Sequence, residues 1–252
     1  MNAELFSLRG RTALVTGART GIGRAVALGL AGAGADLVLL GRTDDLGEVS
    51  EQAGALGVRA EGVGVDLADP AAAEPELAAL LDRRPIDVLV NNAGIIHRQP
   101  AAQVSHADWR RVLDVDLDAV FLLCRLAGER MLARGHGKII NIASLLSFQG
   151  GLRVPAYAAA KHAVAGLTKS LANEWAPHGV QVNAIAPGYI RTNNTAALRA
   201  DEERAAEIGS RIPAGRWGEP ADLVGAAVFL ASGAADYVNG HVLVVDGGWM
   251  AR

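Results

Sequence analysis

A tyrosine and a lysine four residues apart, Tyr157 and Lys161, form the pair in this sequence with the clearest chemical potential. On a helix this spacing places both side chains on one face. A tyrosine phenol ordinarily keeps its proton up to about pH 10, and a neighbouring ammonium favours the phenolate. Ser144 precedes the tyrosine by thirteen residues, and its hydroxyl could hydrogen-bond a reacting oxygen. Together the three residues indicate proton transfer at an oxygen atom, although the tyrosine–lysine spacing alone is common on helices.

A glycine-rich segment near the N-terminus offers a second kind of chemistry. It runs TGARTGIG from Thr16 to Gly23, between an apolar run and a segment with helical spacing. Glycines at such a turn let the backbone approach a pyrophosphate, whose charge meets the free N–H groups at the start of the helix. The spacing differs from the commoner Gly-x-Gly-x-x-Gly fingerprint of dinucleotide sites. The segment therefore predicts a nucleotide site, with an ordinary strand-to-helix turn as the alternative.

A third motif, Asn91-Asn92-Ala93-Gly94, follows another apolar run. Ligands bind at the carboxyl ends of the strands in a parallel sheet, and small residues there permit close approach of a cofactor. The two amides could also tie neighbouring strand ends together. A cofactor role and a structural role are compatible at this position.

These motifs need a scaffold, and the apolar pattern supplies one. Seven short runs rich in Val, Ile and Leu are expected as strands near 12–16, 36–40, 58–65, 86–90, 138–142, 180–185 and 241–245. Helical spacing is expected after the first run, where Ile22, Val26 and Leu30 recur, and near 70–83, 108–133, 155–177 and 219–231. The alternation predicts an α/β fold, a Rossmann-type doubly wound sheet of about seven parallel strands with helices on both faces.

The whole chain, residues 1–252, is expected to form a single domain, because no linker or internal repeat interrupts this alternation. Segment 188–216 departs from it, with Asn193-Asn194, a charged stretch at 200–204 and Pro213. A long irregular insertion of this kind is often a lid, so we predict a substrate loop there.

Composition excludes several classes of protein. Lys and Arg number 24 against 27 for Asp and Glu, with no basic run, so no nucleic-acid partner is expected. No apolar stretch reaches the roughly 18 residues of a membrane span, and the first residues lack the apolar core of a signal peptide. The single Cys124 fits a reducing compartment. We therefore expect a cytoplasmic protein with no membrane partner, and no metal site is predicted.

The three motifs occur in order, and with them the chain resembles the short-chain dehydrogenase/reductase family, whose pattern is TGxxxGxG, NNAG, Ser and YxxxK. The likeness extends from Leu8 to Gly248. It implies an NAD(P)(H)-dependent oxidoreductase and a homotetramer. It also implies that Tyr157 is the general acid/base, that Lys161 is its electrostatic partner and a ribose ligand, and that Ser144 orients the carbonyl. The cofactor residues it implies are Gly17, Arg19, Thr20, Gly21, Ile22, Gly23, Arg42, Asp66, Leu67, Asn92, Ala93, Gly94, Tyr157, Lys161, Pro187, Gly188, Ile190 and Thr192.

One residue departs from the family pattern. Where the family usually has Asn in the helix after NNAG, this sequence has Asp116. In the family that Asn helps hold a water through its backbone carbonyl and so links the lysine to bulk solvent. A backbone role survives the change to Asp, so Asp116 is expected as a fourth catalytic residue. A carboxylate near Lys161 would, however, favour the ammonium and alter the proton relay.

The choice between the two nicotinamide cofactors rests on the end of the second strand. No acid stands at Gly41 to accept hydrogen bonds from ribose hydroxyls, and Arg42 could meet a 2′-phosphate. Asp44 and Asp45 follow closely and weaken that argument. These residues therefore favour NADP(H). The opposite preference, for NAD, is common in a subgroup of the family that parts of the sequence resemble.

That subgroup acts on deoxy-sugar acids of the 2-deoxy-D-gluconate or 2-dehydro-3-deoxy-D-gluconate type, and the likeness lies in segments 142–155, 186–195 and 211–218. Either Arg98 or Arg153 could bind a carboxylate with two hydrogen bonds. Gln149 and Asn194 could hydrogen-bond hydroxyl groups. Ser144 and Tyr157 are also expected to contact the substrate. His97 is expected at the cleft mouth. The alternatives are a gluconate 5-dehydrogenase, a 3-oxoacyl-carrier-protein reductase, or a catalytically idle NADP(H) sensor.

Overall fold

Strands form where the short apolar runs occur. Their bounds are β1 Thr12–Thr16, β2 Asp36–Gly41, β3 Ala60–Gly64, β4 Val88–Asn91, β5 Gly137–Ile142, β6 Val180–Pro187 and β7 Val242–Val245. In the computed structural model, which describes residues 3–252, all neighbouring strands are parallel, in the order β3-β2-β1-β4-β5-β6-β7. The expected Rossmann-type sheet of about seven parallel strands is confirmed, with ends shifted by one or two residues.

Helices connect the strands and cover both faces of the sheet. Their bounds are α1 Gly21–Gly32, α2 Gly47–Ala55, α3 Pro70–Arg83, α4 His106–Leu113, α5 Ala119–Arg134, α6 Pro155–Trp175, α7 Ala196–Ala200, α8 Glu202–Arg211 and α9 Val224–Ala231. No helix within residues 3–252 is both long and apolar enough to span a membrane.

Successive strand residues point to opposite faces and so build two cores. On one face Leu14 and Ile139 pack with Leu123 of α5. On the other face Val15 and Ile140 join the cluster that contains α1 and α9. Because both faces are buried, the strands read as nearly continuous apolar runs rather than as alternating ones.

Three helical segments differ from the sequence expectation. The helix expected near 108–133 is interrupted by a π-helical turn, Asp114–Asp118, which brings Asp116 into contact with its partners. Such turns are frequent at functional sites. Helix α2 was not predicted, because glycines at both of its ends obscure the spacing of its buried Val49 and Ala53. The segment near 219–231 begins as a 3-10 turn, Pro220–Leu223, before α9.

Segment 188–216 is not irregular throughout. It folds into a 3-10 turn, Asn193–Thr195, followed by α7 and α8. Asp201 caps α8 by accepting a hydrogen bond from the Arg204 N–H at 3.0 Å. The segment stands over the carboxyl end of the sheet, and its residues contribute to the two cavities described next.

Candidate active site

A cleft of about 290 Å³ opens at the carboxyl ends of β1 and β4, where the strand order reverses. Such a switch point is where ligands bind in open parallel sheets. A polar clasp joins the two strand ends there. The Thr16 hydroxyl accepts the N–H groups of Asn92 and Ala93, each at 2.9 Å, and the Asn92 amide donates to the Thr16 carbonyl at 2.9 Å. The NNAG motif therefore holds the glycine turn in place as well as lining the cleft.

The glycine turn leaves the N-terminus of α1 open to the cleft. Gly17 and Gly21 have φ of 64° and 57°, a left-handed conformation that favours glycine. Thr20 stands at the N-cap, yet its side chain makes no capping hydrogen bond. The first N–H groups of the helix are thus left to another acceptor, as an anion site requires.

The glycine turn and the open start of α1 leave room for a dinucleotide pyrophosphate. A Cβ at Gly17 would stand 3.0 Å from Cα of Ala93, and one at Gly21 would stand 3.3 Å from the Thr192 methyl group. Side chains at either position would fill the space above the helix start. Gly23 has a different place, because it is buried beneath the turn, where a Cβ would collide with the Gly17 carbonyl oxygen and the Asn92 amide.

Tyr157 and Lys161 lie in the same cleft, on one face of α6. The Lys161 ammonium is 5.5 Å from the centre of the Tyr157 ring and donates to the Ile142 carbonyl at 3.0 Å. Ser147 fixes this turn of the helix by donating to the Lys161 carbonyl at 2.6 Å. The lysine is 4% exposed, so its charge acts on the phenol through little water.

Ser144 follows the end of β5 and faces the same cleft. Its hydroxyl oxygen accepts the Leu146 N–H at 3.1 Å, which orients the side chain. The hydroxyl proton is therefore available to a ligand oxygen. Ser144 and Tyr157 line both the cofactor cleft and the cavity beside it, so they stand where the two spaces meet.

Asp116 completes the buried polar group. Its Oδ1 accepts the Ile95 N–H at 2.7 Å, and its Oδ2 stands 3.5 Å from Nζ of Lys161. Burial raises the pKa of Asp116, while the Lys161 charge and the Ile95 hydrogen bond act in the opposite direction. The carboxylate expected near the lysine from the sequence is indeed its neighbour.

The structure brings most of the predicted residues together. Those lining the cofactor cleft are Gly17, Thr20, Gly21, Ile22, Asn92, Ala93, Gly94, Asp116, Ser144, Tyr157, Lys161, Pro187, Gly188, Ile190, Thr192 and Asn194.

Five predicted cofactor residues lie outside the cleft lining. Gly23 is packed beneath the turn, and Leu67 is a core residue. Asp66 is exposed and accepts the Ala68 N–H at 3.0 Å. Arg19 and Arg42 are exposed at the edge near β2, where Arg19 pairs with Asp45 at 3.2 Å. For these residues the direct cofactor contacts stay predictions.

A second cavity, of about 620 Å³, adjoins the cleft and receives the predicted substrate residues Arg98, Gln149, Arg153 and Asn194. Arg98 donates to the Asn194 carbonyl at 2.7 Å and so links the NNAG loop to segment 188–216. Arg153 has φ of 63°, the only positive value for a non-glycine residue within residues 3–252. His97, expected at the cleft mouth, lines neither space, and its ring lies 3.0 Å from the Gln99 side-chain oxygen.

Sequence reasoning missed one wall of this cavity. Tyr189, Arg204, Arg211 and Trp249 line it, and Arg204 is paired with Glu207. The guanidinium group of Arg211 lies over the Trp249 ring, with its Cζ atom 4.0 Å from the ring centre. The only sequence signal was that Tyr189 directly follows Pro187-Gly188 and Trp249 directly follows Asp246-Gly247-Gly248.

Comparisons with known proteins agree with this geometry. A family model described as "Enoyl-(Acyl carrier protein) reductase", one of the short-chain dehydrogenase models, matches residues 17–250. A 2-dehydro-3-deoxy-D-gluconate 5-dehydrogenase from Bacillus subtilis (strain 168) is 58% identical over 249 residues, covering 99% of this chain and 98% of the relative.

Solved structures are equally similar. A homologue from Beutenbergia cavernae with bound NADP at low occupancy is 61% identical, with a TM-score of 0.97 over 98% of this chain and 100% of that one. A gluconate 5-dehydrogenase from Burkholderia cenocepacia J2315, in complex with NADP and tartrate, is 42% identical, with a TM-score of 0.93 over 100% of both chains. The fold, the motifs and the matched residues lead to one conclusion: the chain belongs to the short-chain dehydrogenase/reductase family.

Proposed function

We propose that this protein is an oxidoreductase that transfers a hydride between NAD(P) and a secondary alcohol or ketone of a deoxy-sugar acid. The observation that carries the proposal is the meeting of Ser144, Tyr157 and Lys161 between a cofactor cleft and an arginine-lined cavity. The name of the Bacillus subtilis relative points to 2-dehydro-3-deoxy-D-gluconate, reacting at C5, as the first substrate to test.

The cofactor, when bound, supplies or accepts the hydride at its nicotinamide ring. The residues that would hold it are those of the open helix start, Gly17 and Gly21, together with Lys161 for the ribose and Thr192 beside the nicotinamide. Both similar structures described above contain NADP, which supports an NAD(P) cofactor here.

Proton transfer falls to Tyr157. In the reductive direction its hydroxyl donates to the carbonyl oxygen of the substrate, and in the oxidative direction its phenolate accepts the alcohol proton. The nearby Lys161 ammonium stabilises that phenolate. Asp116 is a positioning residue, because its carboxylate reaches the lysine and not the reacting oxygen.

Ser144 holds the reacting oxygen. Its oxygen already accepts the Leu146 N–H, and its proton is left to donate to a ligand oxygen. A donor fixed before the reaction begins stabilises developing negative charge without reorganisation. The serine and the tyrosine thus bracket the same substrate oxygen from two elements, the end of β5 and α6.

Substrate recognition is assigned to the second cavity. Arg98 and Arg153 supply positive charge for a carboxylate, and Gln149 and Asn194 supply hydrogen-bonding groups for hydroxyls. Burial lowers the pKa of Arg98, and the Tyr157 phenol opposes that shift. Arg98 also donates to the carbonyl of Asn194, which lines both the cleft and the cavity. Segment 188–216 would close over the bound substrate as a lid.

Gluconate 5-dehydrogenase activity is a second candidate, favoured by the Burkholderia cenocepacia structure and its bound tartrate. Reduction of a carrier-protein thioester fits less well, because an acyl chain calls for an open apolar channel and this cavity has four arginines. An idle cofactor sensor has no use for the intact arrangement of Ser144, Tyr157 and Lys161.

A homotetramer is also proposed. Large apolar side chains remain at the surface, among them Phe121 of α5 at 49% exposure and Leu152 at 81%. Burial of these side chains against other copies of the chain would remove their apolar surface from water. Sedimentation of the purified protein at micromolar concentration should give a tetramer, and a monomer would contradict the assignment.

The proposed compartment is the cytoplasm, consistent with the single buried Cys124.

The central test compares the protein with its Tyr157→Phe variant. The wild type should oxidise 2-dehydro-3-deoxy-D-gluconate with NAD or NADP, and gluconate should be assayed beside it. The variant should lose roughly 10²- to 10⁴-fold in kcat while it still binds NADPH, as measured by fluorescence. Tyr237→Phe, at a fully exposed tyrosine, is the matched control. A Tyr157→Phe variant with unchanged kcat would overturn the proposed function.

A further inference from the structure

The arginines of the substrate cavity are not equivalent. Arg98 donates to the Asn194 carbonyl, and Arg204 forms an ion pair with Glu207. Within residues 3–252 the guanidinium groups of Arg153 and Arg211 have no carboxylate or carbonyl partner. Their hydrogen-bond donors are therefore available to a ligand that enters the cavity.

Arg211 is held in place without using those donors. Its guanidinium stacks on the Trp249 ring at 4.0 Å, and stacking occupies the face of the group rather than its edge. The planar N–H edge is the part that binds a carboxylate with two hydrogen bonds. The contact with Trp249 thus orients Arg211 and leaves its binding edge free.

The tryptophan beneath it is a second incomplete group. Trp249 is 5% exposed, and its Nε1 has no hydrogen-bond partner within the described part of the chain. Native proteins rarely leave a buried N–H donor unsatisfied, so this group calls for a partner that the chain itself does not supply, such as a water or a ligand. Arg211 and Trp249 therefore place two unused kinds of donor in one wall.

Tyr189 adds a third donor to the same wall. Its ring packs between Trp217 and Trp249, with centres 5.4 and 4.7 Å away. Burial raises the pKa of the Tyr189 phenol, while the charges of Arg204 and Arg211 oppose that rise. The hydroxyl is therefore protonated at neutral pH and lies within the field of both arginines.

This wall is distinct from the part of the cavity next to the reacting centre. Arg98 donates to Asn194, which lines both the cleft and the cavity, whereas Arg211 stacks on Trp249, which lines the cavity alone. The cavity thus has a near cation and a distal cation. A sugar acid that reacts at C5 has its C1 carboxylate at the far end of the carbon chain from the reacting carbon, so the distal cation suits that carboxylate.

We propose that Arg211, seated on Trp249 beside Tyr189, is the specificity-determining anion subsite that binds the C1 carboxylate of the sugar acid. The inference rests on the proposed function. It adds an explanation of which carbon reacts: a carboxylate held at Arg211 brings a remote carbon to Tyr157, rather than the carbon next to the carboxylate. The carboxylate contact assigned above to Arg98 and Arg153 then passes to Arg211, and those two arginines hydrogen-bond hydroxyl groups of the substrate instead.

Steady-state kinetics of Arg211→Gln give the first test. The KM for 2-dehydro-3-deoxy-D-gluconate should rise roughly 10- to 100-fold, as expected for loss of a charged hydrogen bond, with kcat changed less than about threefold. A neutral diketone substrate should show no change in kcat/KM. Arg216→Gln is the control, because Arg216 pairs with Asp222 and does not line this cavity. Arg211→Lys, which keeps the charge but not the planar edge, should recover only part of the affinity.

A binding measurement separates this inference from the proposed function. D-gluconate is titrated calorimetrically into NADP-saturated protein carrying Tyr157→Phe, with and without Arg211→Gln. The second substitution should raise the Kd for gluconate roughly 10- to 100-fold while the Kd for NADP stays unchanged. Equal affinities for gluconate, or equal losses for the acid and the neutral diketone, would overturn the subsite. A wild-type protein that binds gluconate through Arg211 but turns over no sugar acid would refute only the proposed reaction.

Discussion

The Asp116 carboxylate lies 3.5 Å from the Lys161 ammonium, and their side chains are 0% and 5% exposed. Only Oδ1 is hydrogen-bonded, to the Ile95 N–H, and Oδ2 has no hydrogen-bond partner within residues 3–252. The family pattern has a neutral Asn at this position. This chain thus gives Lys161 a buried carboxylate as its neighbour, and the cost of removing that carboxylate from water is only partly offset.

Replacement of Asp116 by Asn should change how stability depends on pH. Burial raises the pKa of Asp116 above its ordinary value of 3.8, so the native state binds this proton more tightly than the unfolded chain does. The stabilisation is complete below that ordinary value and is lost as pH rises through the native pKa. Asn cannot titrate. Urea unfolding at a series of pH values from about 4 upward should therefore show Asp116→Asn gaining stability relative to the wild type.

Asp118→Asn is the matched control, because Asp118 belongs to the same π-helical turn but pairs with Arg110 at the surface. It should not reproduce the relative gain of Asp116→Asn. If the wild type instead became more stable relative to Asp116→Asn as pH rises, the Lys161 charge would influence the pKa of Asp116 more strongly than burial does.

Gly23→Ala should weaken cofactor binding without touching the cofactor. The added Cβ would collide with the Gly17 carbonyl oxygen and the Asn92 amide, which together fix the glycine turn. We expect a loss of about 1–3 kcal/mol in the free energy of unfolding and a rise of about tenfold in the Kd for NADPH. Gly32→Ala, where a Cβ meets no atom within 4 Å, is the control in the same helix. Equal NADPH affinities in the two variants would contradict the packing role.

Arg153 is held in a backbone conformation that favours glycine, with φ of 63° in the wall of the substrate cavity. The Arg153→Gly variant should therefore be more stable than the Arg153→Ala variant, by about 0.5–1 kcal/mol in the free energy of unfolding. This difference already allows for the greater entropy of glycine in the unfolded chain, which favours the Ala variant. Both variants lack the guanidinium, so both should raise the KM for the sugar acid equally. Denaturant unfolding and steady-state kinetics measure the two effects, and an Ala variant more stable than the Gly variant would show that the conformation carries no strain.

The exposed charges near β2 should set the preference between cofactors. Asp45 pairs with Arg19 at 3.2 Å and competes for the guanidinium that a 2′-phosphate would need. Asp45→Asn should raise the ratio of kcat/KM for NADPH over NADH, and Arg42→Gln should lower it, each by up to about tenfold and less at high salt. A parallel change with both cofactors would show that neither residue reads the phosphate.

Much of the architecture could be predicted because its signals are local. Runs of Val, Ile and Leu marked every strand to within two residues, and the spacing of Tyr157 and Lys161 placed them on one helical face. Helix α2 escaped because its two buried residues give a weak apolar period. The π-helical turn also escaped, because no residue spacing marks it and the contacts of Asp116 with Ile95 and Lys161 within it join distant segments.

The sequence by itself determined the sheet and the glycine turn and placed Tyr157 and Lys161 on one helical face, because each is written in a short pattern of residue types. Only the tertiary structure decided which charges meet. It set Asp116 against Lys161 and stacked Arg211 on Trp249. Such contacts depend on how distant segments pack against one another, and no spacing along the chain encodes the distance between two side chains on different elements.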